Sequence, residues 1–104
     1  MPQFITHYDN LQVKETASGE VIKGAYRYLS QKWHPDKNPD NRQEAENFIK
    51  IINEAYSVLS DPIRRKEYDL QINRERRKEN EKNKIHHLRR MLSLRIIKSV
   101  PHLL

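Results

Sequence analysis

Cysteine is absent from this 104-residue chain. Disulfides and thiolate metal sites are therefore excluded, and the composition suits a reducing compartment, which makes the cytoplasm the expected location. Long apolar runs are also missing. No stretch approaches the roughly eighteen residues of a membrane span, and the opening MPQFITHYDN has no basic start followed by an apolar run, so no secretory signal is expected. Glycine occurs only twice. No glycine-rich phosphate loop can be drawn, and no nucleophile motif with an orienting third group accompanies the histidines, so the chain is not expected to be an enzyme. No internal repeat is visible.

What remains is a short, highly charged chain. Hydrophobic residues make up 36% and charged residues 33%, which bounds the core to one small domain with the remainder as tail. The net charge of +6 is uneven. Residues 1–73 hold ten Lys and Arg against eleven Asp and Glu, whereas residues 74–104 hold ten against three. The basic character thus belongs to the tail, and only there does it suggest an anionic partner.

Apolar spacing organises the first part. In ITHYDNLQV, Thr6 or His7 begins a helix of two turns at most that carries Tyr8 and Leu11 on one side. Ser18 is the N-cap of the next helix, with Glu20 in its first turn where the helix dipole favours a carboxylate. Ile22, Ala25, Tyr26, Leu29 and Trp33 follow on one face. The helix stops at HPDKNPDN, because Pro35 disfavours the α conformation at His34 and Pro39 does the same at Asn38. A second long helix starts at Arg42 or Gln43, with Ala45, Phe48, Ile49, Ile52, Tyr56 and Leu59 on one stripe and Ile51, Ala55 and Val58 widening it. Asp61 and Pro62 then cap a short fourth helix that returns Tyr68 to the core. Tyr8, Leu11, Ile22, Leu29, Phe48, Ile52, Ala55, Tyr56, Leu59 and Tyr68 are the expected core, and Trp33 the cap of the hairpin near the loop.

Taken alone, His34-Pro35-Asp36 reads as an ordinary turn, since Pro and Asp are common turn residues. Its setting says more. HYDNLQV, then IKGAYRYLSQKWHPDKNPD, then FIKIINEAYSVLSDPIRRKEYD, in that order, resemble the J-domain of DnaJ-type co-chaperones over residues 6–69. The resemblance implies an all-α J-domain four-helix fold over residues 1–69: an antiparallel hairpin of two long helices, with the HPD loop at its tip. Residues 70–104 follow as a basic tail, helical or disordered. A helix over residues 18–33 is about 24 Å long at 1.5 Å per residue, enough to pair along its whole length with its partner.

The implied function is to dock on a DnaK-type chaperone of the heat-shock 70 class and stimulate its ATP hydrolysis, assisting the folding or remodelling of an unfolded client. No cofactor is implied, and the chain is expected to be a monomer. Asp36 would pair bidentately with an arginine of the partner. His34 would hydrogen-bond within the loop or across the interface, and Pro35 would fix the geometry. Lys23, Arg27 and Lys32 would meet an acidic patch, with Tyr26 beside them as a contact or as core; the plain alternative is a solvated face. Gly24 and Tyr28 stand where members of the family often carry positive charge, which implies weaker docking. Gly24 also costs about 1 kcal/mol of helix propensity relative to Ala unless close packing compensates.

Arg64, Arg65 and Lys66 read as a second basic patch, more readily a solvated face than a contact. QINRERRKENEKNK has one apolar residue in fourteen and is either an exposed helix laced with charge pairs or disordered. Ile85, Leu88, Leu92 and Ile96 then recur at helical spacing among Arg89, Arg90, Arg95 and Lys98, up to a stop at Pro101. Over residues 74–98 this basic amphipathic segment suits nucleic acid or an anionic membrane, or else a packed or partner helix. His86 and His87 are adjacent, point to different sides of a helix and make a poor metal site.

Overall fold

The computed structural model describes residues 5–99, with side chains through residue 94. The fold is all-α, with helices α1 (His7–Asn10), α2 (Gly19–Lys32), α3 (Arg42–Leu59) and α4 (Pro62–Ser99). Two short 3-10 turns, Pro35–Lys37 and Pro39–Asn41, join α2 to α3. By contacts the chain divides after Asp69 into two compact units.

Local chemistry starts each helix. Thr6 Oγ1 accepts from the Asp9 N–H at 3.1 Å, and the Asp9 carboxylate accepts from the Thr6 N–H at 2.9 Å. That reciprocal pair is a capping box. α1 ends in a Schellman arrangement: Val13 N–H donates to Tyr8 C=O and Gln12 N–H to Asp9 C=O, both at 3.0 Å. Gln12 takes the left-handed backbone there, φ 57°. Ser18 Oγ caps α2 by accepting from Val21 N–H at 3.2 Å. Asp61 Oδ1 caps α4 through Ile63 N–H at 2.9 Å, with Pro62 at the first position, where its missing N–H goes unused.

In the first unit α3 packs against both α1 and α2, which is why its apolar stripe is wide. Tyr8, Leu11, Ile22, Leu29, Ala45, Ile52, Ala55 and Leu59 are buried. Each buried Leu or Ile stabilises the fold by about 1.5–3 kcal/mol. The antiparallel pairing of α2 with α3 is fixed by two ring contacts. Tyr26 stacks on Tyr56 at 4.1 Å between centroids, and Trp33 meets Phe48 at 4.5 Å.

Three core assignments made from spacing, Phe48, Tyr56 and Tyr68, need correction, and Ile51 on the widened flank of the stripe is exposed as well. Phe48 and Ile51 are exposed, at 36% and 41%: the stripe is wider than the surface available to cover it, and Phe48 meets Trp33 at its rim. Tyr56 and Tyr68 are half-buried, as suits rings with a polar end. Tyr68 stacks on His7 at 4.5 Å, and its hydroxyl accepts from the His7 N–H at 2.8 Å. Burial lowers the pKa of His7 below its ordinary value.

The basic patch expected at residues 64–66 is also corrected. Arg64 Nη1 donates to the Ser57 carbonyl at 2.8 Å, satisfying a C=O in the last turn of α3. Arg65 is half-buried and turns inward. Its Nε donates to Tyr8 Oη at 3.0 Å, and its Nη2 to the carbonyls of Glu15 and Ala17 at 3.1 and 2.7 Å. Tyr8 Oη in turn donates to Asp69 at 2.6 Å. Burial, then the bond to Asp69, pushes the Tyr8 phenol up to about 12 although Arg65 opposes the shift, so the proton needed for that bond stays in place. Only Lys66 of the three remains a plain solvated cation.

Gly24 does not compensate its helix cost by close packing, because a Cβ built there meets nothing within 4 Å. Its φ is not positive. Gly24→Ala is therefore expected to stabilise the protein by about 1 kcal/mol, read as a higher urea midpoint at unchanged slope.

The fourth helix is not short: α4 runs from Pro62 to Ser99 as one element. Neither Pro nor Gly interrupts residues 63–99, and Arg, Lys, Glu and Leu are good helix formers. Of the two forms open to residues 71–84, the helix is the one found, exposed at every residue but Ile72, with Lys78 and Glu75 paired at 3.7 Å. The stop at Pro101 and the side chains of Arg95, Ile96 and Lys98 lie outside the described residues.

Candidate functional site

The residues between α2 and α3 form a turn that is tied down by its own side chains. α2 ends on Trp33, whose N–H still reaches the Leu29 carbonyl at 3.0 Å. His34 then switches to extended backbone, ψ 131°, as a residue before proline must. Its Nδ1 accepts from the Asp36 N–H at 3.2 Å, so the imidazole caps the 3-10 turn that Pro35 begins. That acceptor role requires Nδ1 without a proton. Lys37 N–H closes the turn on the His34 carbonyl at 3.0 Å.

Asn38 completes the turn, a role that its position before Pro39 does not reveal. Its Nδ2 donates to the carbonyls of Lys32 at 3.0 Å and His34 at 2.8 Å. Lys32 is the last residue of α2, whose carbonyl would otherwise lack a partner. The local signal was an Asn a few residues past a helix end, since Asn side chains bond nearby backbone in turns.

The result is a loop whose backbone is held while its acidic side chain is not. Pro35 is half-buried. The side chains of His34 and Asp36 are 53% and 77% exposed, with His34 Nδ1 and Asp36 Oδ2 3.7 Å apart. Trp33, the residue on which α2 ends, is braced on Phe48.

The cations expected on the preceding helix do not form one face. At about 100° per residue, Lys23 and Arg27 are about 40° apart, whereas Lys32 lies about 140° beyond Arg27. Lys23, Arg27 and Lys32 are all exposed, but they flank α2 on opposite sides. Lys32 Nζ lies 5.7 Å from the Trp33 ring centroid, a cation–π distance. Tyr26 is half-buried in the hairpin seam, its hydroxyl donating to Asn53 Oδ1 at 2.8 Å. Among the described residues no cluster of three or more His, Asp or Glu could hold a metal ion, and His86 and His87 are both exposed.

The DnaJ domain family matches residues 6–69 of this chain. DnaJ homolog subfamily B member 8 of Homo sapiens is 56% identical over 63 residues, covering 61% of this chain and 27% of that protein. DnaJ homolog subfamily B member 6 of Xenopus tropicalis is 57% identical over 65 residues, covering 62% and 27%. For DnaJ homolog subfamily B member 3 of Homo sapiens the identity is 54% over 65 residues, covering 62% and 45%. The matched stretch thus spans less than half the length of each of these relatives.

Proposed function

This chain belongs to the DnaJ domain family, and on that premise we propose that it is a co-chaperone module that docks on a DnaK-type chaperone of the heat-shock 70 class and stimulates its ATP hydrolysis. The observation that carries the reading is the exposed Asp36 carboxylate on a backbone-pinned turn between two antiparallel helices. A carboxylate so presented offers both oxygens to one guanidinium, and the fixed backbone means little entropy is lost on pairing. His34 acts inside the loop as the cap of that turn, and Pro35 sets its entry angle. The chemistry belongs to the partner, whose ATP site this module would bias by binding one of its conformations more tightly. An unfolded client would be held by the chaperone, and the proposed setting is the cytoplasm.

Lys23 and Arg27 make the cationic edge that steers an acidic surface toward the loop. Lys32, on the other flank beside Trp33, and Tyr26, committed to the seam, play smaller parts in docking. The test is single-turnover ATP hydrolysis by a DnaK-type chaperone with the full chain added. Hydrolysis is expected to accelerate severalfold. The Lys23→Ala, Arg27→Ala pair should raise the concentration for half-maximal stimulation about tenfold at low salt and much less at high salt, whereas Lys32→Ala changes it little. No acceleration at any concentration of the unaltered chain would overturn the reading.

A further inference from the structure

We propose that residues 82–94 of α4 bind the surface of anionic phospholipid bilayers, lying in the plane of the interface. Its consequence, that the chaperone is recruited to a membrane, rests on the co-chaperone reading; the lipid binding does not.

Five apolar side chains are left in water on this part of the helix, four of them on one side. Ile85, Leu88, Met91 and Leu92 are between 47% and 55% exposed. At about 100° per residue Ile85, Leu88 and Leu92 fall within about 60° of one another, and Met91 adds about 60° more. They form one stripe, with Arg89 about 40° off its edge and Arg90 on the far side; Leu94, also exposed, stands apart from it. From residue 82 through residue 98 the chain carries six Lys and Arg and neither Asp nor Glu. A solvent-exposed apolar stripe with Arg89 and Lys82 along one edge, the long Lys84 side chain within it and no acidic residue from 82 through 98 is the pattern of an interfacial helix, whose apolar face enters the headgroup boundary while its cations meet anionic lipid. Among the described residues no helix is long and apolar enough to cross a membrane, so the helix lies on the bilayer.

Charge and the apolar stripe together select this occupant over the two others that they suggest. A second copy would bring an equally cationic segment against the first, and the heptad that begins at Ile85, Leu88 and Leu92 would next place Arg95 in the seam. Nucleic acid would satisfy the cations but leave the apolar stripe in water. No Phe, Tyr or Trp follows Tyr68 to stack on bases.

The experiment is co-sedimentation of the full chain with vesicles of phosphatidylcholine, alone or mixed with phosphatidylserine. Binding is expected only to the mixed vesicles and should fade as salt rises. Leu88→Glu with Leu92→Glu should reduce it to background. Arg89→Gln with Arg90→Gln should weaken it about thirtyfold, from roughly a fivefold contribution per cation near the surface. Both variants change exposed residues beyond the docking module, so their helical circular dichroism and their stimulation of chaperone ATPase without vesicles should match the unaltered chain. Absence of binding to the phosphatidylserine vesicles overturns the proposal, as does binding that survives the leucine substitutions. So does a leucine-dependent dimer in analytical ultracentrifugation, or retention by duplex DNA at salt where vesicles do not bind. The ATPase is read without vesicles, so failure of the co-chaperone reading and failure of lipid binding are separate results.

Discussion

Asp36→Asn is expected to leave the chaperone at its unstimulated rate of single-turnover ATP hydrolysis while the variant keeps its helical circular dichroism and its urea midpoint. The fold does not use this carboxylate. It is 77% exposed, and the bond that pins the loop at this residue comes from its backbone N–H to His34 Nδ1, which the substitution retains. The change in stability should stay within about 0.5 kcal/mol. The change in docking should be far larger, because the amide keeps the shape but replaces one acceptor oxygen with a donor and removes the charge. Losing one partner of a desolvated charge pair costs about 2–5 kcal/mol, which is about thirtyfold to a few thousandfold in affinity. Full stimulation by the Asn variant at the unaltered protein's concentration would show that the loop carboxylate is not the contact.

Arg65→Ala should have the largest effect on stability, a loss of about 3 kcal/mol. One guanidinium holds the Tyr8 hydroxyl of α1 and the carbonyls of Glu15 and Ala17 in the connection to α2, all from the first turn of α4. It also lies 5.4 Å from the Tyr8 ring centroid. Truncation leaves a buried Tyr8 with only its Asp69 bond and removes three charge-assisted bonds at once, each worth about 1.5–3 kcal/mol when buried and less where water replaces the donor. For a domain of this size the thermal midpoint should fall by about 15 °C. Arg65→Lys should recover little, because an ammonium cannot reproduce the planar fork that reaches three acceptors. An Ala variant that melts with the unaltered protein would mean that these bonds are replaced by water without loss.

Arg65 also shows why the pattern along the chain was an incomplete guide. Among Arg64, Arg65 and Lys66 the sequence offers three adjacent cations with nothing local to separate them. Their acceptors decide their roles, and those of Arg65 lie 48 to 57 residues away along the chain. The same holds for Phe48 and Ile51, whose spacing matched that of the buried Ile52 and Ala55. Periodicity reports which side of a helix is apolar but not how far a neighbour extends over it. By contrast Thr6, Ser18, Asp61 and the loop at Pro35 were legible, because capping and the steric effect of proline act within about four residues.

The candidate site divides in the same way. The order of segments around His34-Pro35-Asp36 identified the family, and the exposure of the Asp36 carboxylate follows from a proline-bounded turn. The bracing of that turn by Asn38, the stacking of Tyr26 on Tyr56 and the separation of Lys32 from Lys23 and Arg27 appear only once the helices are built and paired.

From its sequence alone this protein's helical class, its caps, its loop and the +7 bias of residues 74–104 were determined, since each is a property of neighbouring residues. Tertiary structure decided which cations are structural, which aromatic rings form the seam and which apolar side chains stay in water. Those outcomes depend on what α1, α2, α3 and the start of α4 place opposite a side chain, and contacts between residues distant along the chain leave no period in it to read.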